Sequence, residues 1–137
     1  LEEALEKYPG LKFIGHSQPF WHEISQDAKP DLKSRMEWGK GPVKEGGRLV
    51  CLMRNYKNLY ADLSANSGGC AIMRDEKFGL QFLEEFQDRL MFGTDMVNTD
   101  MVFPLGEWLD RQYQEGKLSV QAYRKICFEN AKKIFQL

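Results

Sequence analysis

Met91-Phe92-Gly93-Thr94-Asp95, together with the earlier stretch Ile14-Gly15-His16-Ser17, decides how this chain folds. Each is a short apolar run that stops at a small residue and a group able to do acid–base or metal chemistry. A histidine and an aspartate at the carboxyl ends of two buried strands are what a parallel α/β arrangement offers to a substrate.

Helical and strand patterns alternate outward from these two runs. Leu1, Ala4, Leu5 and Tyr8 share one helical face, which Pro9-Gly10 ends, and Leu11 to Gly15 reads as a strand. Residues 20 to 48 form a long irregular insertion. It is broken at Lys29-Pro30-Asp31 and Gly39-Lys40-Gly41-Pro42 and closed by Gly46-Gly47. Leu49, Leu52, Met53 and Tyr56 restore helical spacing, Leu59 to Leu63 is the next strand, and Ser64 to Gly69 reads as a small-residue loop. A helix capped by Asp75 carries Phe78, Phe82, Leu83 and Phe86, and leads into a third strand, Leu90 to Gly93. Pro104 opens a helix that turns Leu105, Trp108 and Leu109 inward, and Gly116 lies just past its end. Ser119 caps the last helical region.

Three strands alternating with helices imply parallel βαβ units. Alone, such a sheet leaves two unpaired edges and an uncovered face. The expected fold is therefore α/β: about three βα units from the carboxy-terminal part of a TIM barrel, which in full takes about 250 residues and eight strands. The 137 residues form a single partial domain on this reading, and residue 1 is a Leu inside a helical pattern, so upstream sequence is expected.

Composition excludes several classes of function. A hydrophobic content of 42% argues for a globular rather than a disordered chain. Nineteen basic and twenty acidic residues, with no basic stripe, give no support to nucleic-acid binding. No apolar run approaches the roughly 20 residues needed to span a bilayer. Cys51, Cys70 and Cys127 are odd in number and widely spaced, which argues against a disulfide framework or a structural zinc site. Reduced, mostly buried thiols in a cytoplasmic protein are expected.

His16 reads as a general base, or as a donor polarising a carbonyl, or else as a strand-end histidine bonded to a nearby loop, the reading the pattern alone favours. Asp95 can ligate a divalent cation or take a proton from water, and can also be an Asx-turn aspartate. Phe20 and Trp21 either wall an apolar substrate pocket or pin the loop after His16 to the core. Period-2 alternation puts Tyr60, Asp62 and Ser64 on one face of their strand, near the mouth of a barrel lumen. Ser67-Gly68-Gly69 offers backbone N–H groups to an anion, and Arg74 can pair with a substrate carboxylate. His22, six residues after His16, matches no helical ligand spacing and reads as a surface histidine. Catalytic zinc takes three protein ligands, and the candidates here are His16, Asp95 and at most one more carboxylate, so the isolated chain is expected to bind such a metal poorly.

Four motifs carry a resemblance. Lys12-Phe13-Ile14-Gly15-His16, Asn58-Leu59-Tyr60-Ala61-Asp62-Leu63-Ser64, Arg89-Leu90-Met91-Phe92-Gly93-Thr94-Asp95 and Phe128-Glu129-Asn130-Ala131 occur in the order seen in the carboxy-terminal half of amidohydrolase-2-type metal-dependent hydrolases. That group includes aminocarboxymuconate-semialdehyde decarboxylase and is built on a TIM barrel. The resemblance implies that the three strands are the sixth, seventh and eighth. It implies that Asp95 is the strand-eight aspartate, which ligates a divalent metal, zinc, and can serve as base. It makes His16 the strand-six histidine, close to the metal-bound water but not itself a ligand. The family's His-x-His on strand one and its strand-five histidine have no counterpart here. Gly15-His16-Ser17-Gln18-Pro19 also departs from the glycine-rich turn often found after that histidine.

The implied function is hydrolysis of a C–N or C–O bond in a small organic substrate by metal-activated water, His16 and Asp95 being catalytic and Phe20, Trp21, Ser64 and Arg74 lining the substrate. Non-oxidative decarboxylation is the alternative within the family. An alternative of another class is a non-catalytic assembly piece, which needs a partner or a second copy to cover its sheet edges. The implied partners of the enzyme are the small-molecule substrate and the missing amino-terminal half of the barrel.

Overall fold

A computed structural model describes residues 1–137. Three strands, β1 (Phe13–Gly15), β2 (Leu59–Asp62) and β3 (Leu90–Met91), form one parallel sheet in the order β1-β2-β3. Phe13 pairs with Leu59 and Ala61 with Leu90. The expected mixed α/β pattern with a three-stranded parallel sheet is thus observed.

Helix α1 (Glu2–Lys7) precedes β1, and α2 (Gln18–His22), α3 (Leu32–Arg35) and α4 (Arg48–Asn55) lie between β1 and β2. Helices α5 (Ser67–Met73) and α6 (Glu76–Glu85) connect β2 to β3. After β3 come α7 (Pro104–Gln114) and α8 (Val120–Arg124), a π-helical turn over Lys125–Glu129, and α9 (Asn130–Phe135). No helix is long and apolar enough to cross a membrane.

The helical apolar faces meet one side of the sheet. Leu49, Leu52 and Met53 of α4, Phe82 and Leu83 of α6 and Leu109 of α7 join Leu59, Ala61 and Leu90 in a single buried cluster. Caps fix where helices begin: the Asp75 carboxylate accepts from the Phe78 N–H at 3.1 Å, and the Ser119 hydroxyl accepts from Ala122 N–H at 3.1 Å. Along β2, Leu59 and Ala61 are buried while Tyr60 and Asp62 are half-buried. Ile14 is in register with Tyr60 and is exposed. The sheet therefore has one packed face and one open face, and His16, two residues beyond Ile14, continues the open one.

Several expectations need correction. Ser67-Gly68-Gly69 is not loop but the first turn of α5, and it is buried. Gly68 is needed there because a Cβ would stand 2.5 Å from the Leu63 Cα, so these N–H groups are packed under β2 rather than offered to an anion. The 20–48 insertion contains two short helical pieces, with Asp31 accepting from the Ser34 N–H at 3.0 Å to start α3. The three thiols are not mostly buried: Cys51 is exposed, and Cys70 and Cys127 are intermediate. Burial nevertheless pushes the Cys70 thiol up and that of Cys127 to about 11.

The third strand is shorter than expected, and only one sheet edge is free. Met91 C=O still accepts from Leu63 N–H at 2.9 Å on the β2 side. On the outer side, Phe92 N–H donates to the Ile126 carbonyl at 2.8 Å, and the Asn130 amide donates to Gln87 C=O at 2.6 Å and Leu90 C=O at 2.7 Å. The carboxy-terminal helical region thus satisfies the backbone groups that another strand would take. The outer side of β1 carries no strand.

Candidate active site at the strand ends

Parallel strands deliver their carboxyl ends to one side, and three of them bring His16, Asp62 and Asp95 together. The Nδ1 of His16 lies 3.1 and 3.2 Å from the two carboxylate oxygens of Asp62. A carboxylate only accepts, so this contact places the proton on Nδ1 and directs Nε2 outward. Nε2 faces the Asp95 carboxylate at 3.6 Å, a charge contact longer than a hydrogen bond. Asp95 has no other polar partner, and half of its side chain is open to solvent, at 50%.

Asp62 is held more firmly than the histidine it orients. The Ser64 N–H donates to its Oδ1 at 3.1 Å, and the Ser64 hydroxyl donates to the same oxygen. The indole N–H of buried Trp21 donates to the Asp62 main-chain carbonyl at 3.0 Å. Ser64 Oγ also lies 3.3 Å from His16 Nδ1. Together these contacts form a pre-arranged acid–base row, Asp62–His16–Asp95, whose inner end is fixed and whose outer end is accessible.

Other residues singled out in the sequence take different places. Phe20 lies across Gly15 so closely that a Cβ there would stand 2.1 Å from its ring, and it meets Trp21 edge-on at 5.4 Å. Phe20 also lines a cavity of about 420 Å³ that includes His16, Ser17 and Pro19. His22 ends α2 and bonds the Lys29 carbonyl at 2.9 Å. Arg74 caps α5 and lines a separate cavity, away from the acid–base row. The structure therefore gathers His16, Ser64 and Asp95, sets Phe20 beside them, buries Trp21 beneath them and leaves Arg74 apart. Asp62 is the member that sequence reasoning did not name as a site residue. Its alternation with Tyr60 and Ser64 was the available signal.

Backbone strain concentrates at the same edge. Ser17, Ala65, Asn66 and Asp95, each just beyond a strand, have φ of 72°, 55°, 56° and 51°. Ser17 combines φ 72° with ψ 173°, a region that glycine alone enters easily. The serine therefore occupies a turn built for glycine. Ser17→Gly is expected to stabilise the protein by about 1 kcal/mol, because strain relief exceeds the added unfolded-state entropy. Thermal unfolding checks this: a midpoint raised by a few degrees is expected, and an unchanged or lowered one would show that position 17 is unstrained.

The metal that the sequence resemblance implies needs more donors than this row provides. No group of three or more His, Cys, Asp or Glu side chains is placed to hold an ion. His16 Nδ1 is taken by Asp62, which leaves the Asp95 carboxylate as the one free oxygen donor of the row. These residues do not by themselves fit a three-ligand catalytic zinc.

An open acid–base row at the carboxyl edge of a parallel sheet is a hydrolase-like arrangement, and the whole chain supports that reading by its relationship. Residues 1–137 match the amidohydrolase family, and the chain belongs to it. No curated protein and no solved structure matches the chain.

Proposed function

We propose that this chain forms strands six to eight of an amidohydrolase TIM barrel, in the branch that includes aminocarboxymuconate-semialdehyde decarboxylase. In this reading the complete protein hydrolyses a C–N or C–O bond of a small organic substrate. The observation that carries it is the Asp62–His16–Asp95 row, set at the ends of three parallel strands with an open sheet face beside it. The free outer side of β1 is where a fifth strand would pair, and closure on the first strand would require the carboxy-terminal region to release the outer side of β3, where it bonds Phe92 N–H and Leu90 C=O.

The chain's own residues divide the proton work. Asp95, exposed and bonded to nothing else, accepts a proton from the attacking water. His16 donates Nδ1–H to Asp62 and turns Nε2 toward Asp95 and the substrate, where it takes up and delivers a proton. Asp62 keeps the ring in that orientation, and Phe20 limits water on one side. A divalent metal, zinc, would supply Lewis-acid activation of water, with Asp95 as one donor and the remaining donors outside these residues.

The test uses the full-length protein and its Asp95→Ala variant. Metal content and turnover are measured on small amides, esters and lactones, and on small carboxylic acids with CO2 detection. Metal occupancy and hydrolytic rate should both fall in the variant, the rate by at least about 100-fold. Equal metal occupancy would remove Asp95 from the ligand set, and CO2 release without hydrolysis would replace the hydrolase reading with a decarboxylase.

A further inference from the structure

A cavity of about 610 Å³ lies across α2 from the acid–base row. Gln18, Trp21 and His22 turn toward it, whereas Pro19 and Phe20 turn toward the smaller cavity that holds His16. None of His16, Asp62, Ser64 and Asp95 lines it. Its volume is in the range of small-molecule sites.

Arg74 is the unusual member of its wall. The guanidinium makes no ion pair with any residue, and its buried Nε has no hydrogen-bond partner. Gly39 runs so close that a Cβ there would stand 2.0 Å from Nη1. Desolvation works against the charge that Arg74 carries there. An arginine so placed and unpaired is costly unless an anion completes it. Of the two carboxylates whose charge reaches Arg74, Asp27 is already engaged by the Ser25 hydroxyl at 2.6 Å and Lys44 at 3.3 Å, and Asp75 by the Val43 and Phe78 N–H groups at 3.0 and 3.1 Å. Lys29 and Lys40 also line the cavity without ion-pair partners, against the single free carboxylate of Glu37. Trp38 and Met36, both exposed, add flat apolar surface to the rim.

We propose that this cavity is a binding site for a small, flat organic carboxylate, with the carboxylate paired to Arg74 and the apolar body against Trp38 and Met36. A guanidinium takes a carboxylate through two parallel N–H···O bonds, and the apolar rim selects an organic anion over an inorganic one. The site is independent of the acid–base row. Trp21 links the two, since its ring lines the cavity while its N–H holds the Asp62 carbonyl.

Benzoate, benzamide and inorganic phosphate are the probes, titrated into the full-length protein with tryptophan fluorescence and NMR as readouts. Benzoate should bind saturably, with benzamide and phosphate each roughly tenfold weaker or more. Arg74→Gln should weaken benzoate binding by at least about tenfold. Gly39→Ala, whose Cβ would collide with the Arg74 guanidinium and no other group, should weaken it severalfold and keeps the test valid if Arg74→Gln does not fold. His16→Ala should leave benzoate affinity unchanged. Equal binding of benzamide or of phosphate, or indifference to both cavity variants, would overturn the site. Loss of benzoate binding in His16→Ala would show that the probe occupies the acid–base row instead.

Discussion

Asp62→Asn in the full-length protein is expected to lower kcat by about 1000-fold while leaving KM nearly unchanged. The contact that matters is the one from both Asp62 oxygens to His16 Nδ1, at 3.1 and 3.2 Å. An asparagine presents an NH2 to that nitrogen in one of its two orientations, and Nδ1 must then accept. The proton moves to Nε2, so the neutral ring can no longer receive one on the side that faces Asp95 and the substrate. The variant also removes the negative charge that offsets the imidazolium. Folding should survive, because the Trp21 indole bonds the main-chain carbonyl of residue 62 and an asparagine oxygen can still accept from the Ser64 N–H. A purely structural role for Asp62 predicts a lowered unfolding midpoint with little change in kcat. The imidazole nitrogen NMR signals decide between them: they should switch from the Nδ1–H to the Nε2–H tautomer. If kcat stays within threefold of wild type, or the tautomer is retained, Asp62 does not position His16.

The residues differ in how much of this could be read from the chain. The α/β rhythm was legible because apolar spacing changes period at Leu11, Leu49, Leu59 and Phe78, and because Asp75 and Ser119 are capping residues where helices do begin. His16 and Asp95 were legible as strand-end groups, since a buried strand cannot continue through them. What escaped was set by contacts distant in sequence. Asp62 stands 46 residues from His16, and nothing local announces their bond. Ser67-Gly68-Gly69 has loop composition, yet its glycines serve close approach of α5 to the Leu63 backbone. Trp21 and Phe20 look alike beside a turn, but one is buried beneath Asp62 and the other covers Gly15. Leu90 to Gly93 has the composition of a four-residue strand. It pairs over only two residues, and on its outer side the Phe92 N–H donates to the Ile126 carbonyl instead of to a strand.

That last departure gives the largest expected loss of stability. Asn130→Ala should destabilise the protein by about 2–3 kcal/mol, since one buried amide serves two acceptors, the half-buried Gln87 C=O at 2.6 Å and the buried Leu90 C=O at 2.7 Å. Each carbonyl left without its donor costs about 1–2 kcal/mol, and the truncated side chain leaves a small void. Asn130→Asp should be at least as harmful, because it sets a carboxylate oxygen against two carbonyl oxygens and restores no donor. Urea unfolding of the full-length variants measures this: the midpoint should fall with the slope unchanged. A loss below about 1 kcal/mol would mean that water replaces the amide and that the clamp on β3 is dispensable. The consequence reaches the site because β3 runs directly into Phe92-Gly93-Thr94-Asp95. With the Leu90 carbonyl unbound, the support for Asp95 at its positive φ weakens. Activity should therefore decline with the folded fraction and with Asp95 mobility, while the Asp62–His16 contact, anchored through Trp21 and Ser64, persists. The Phe128-Glu129-Asn130-Ala131 motif then acts on chemistry only by holding the strand that carries the aspartate.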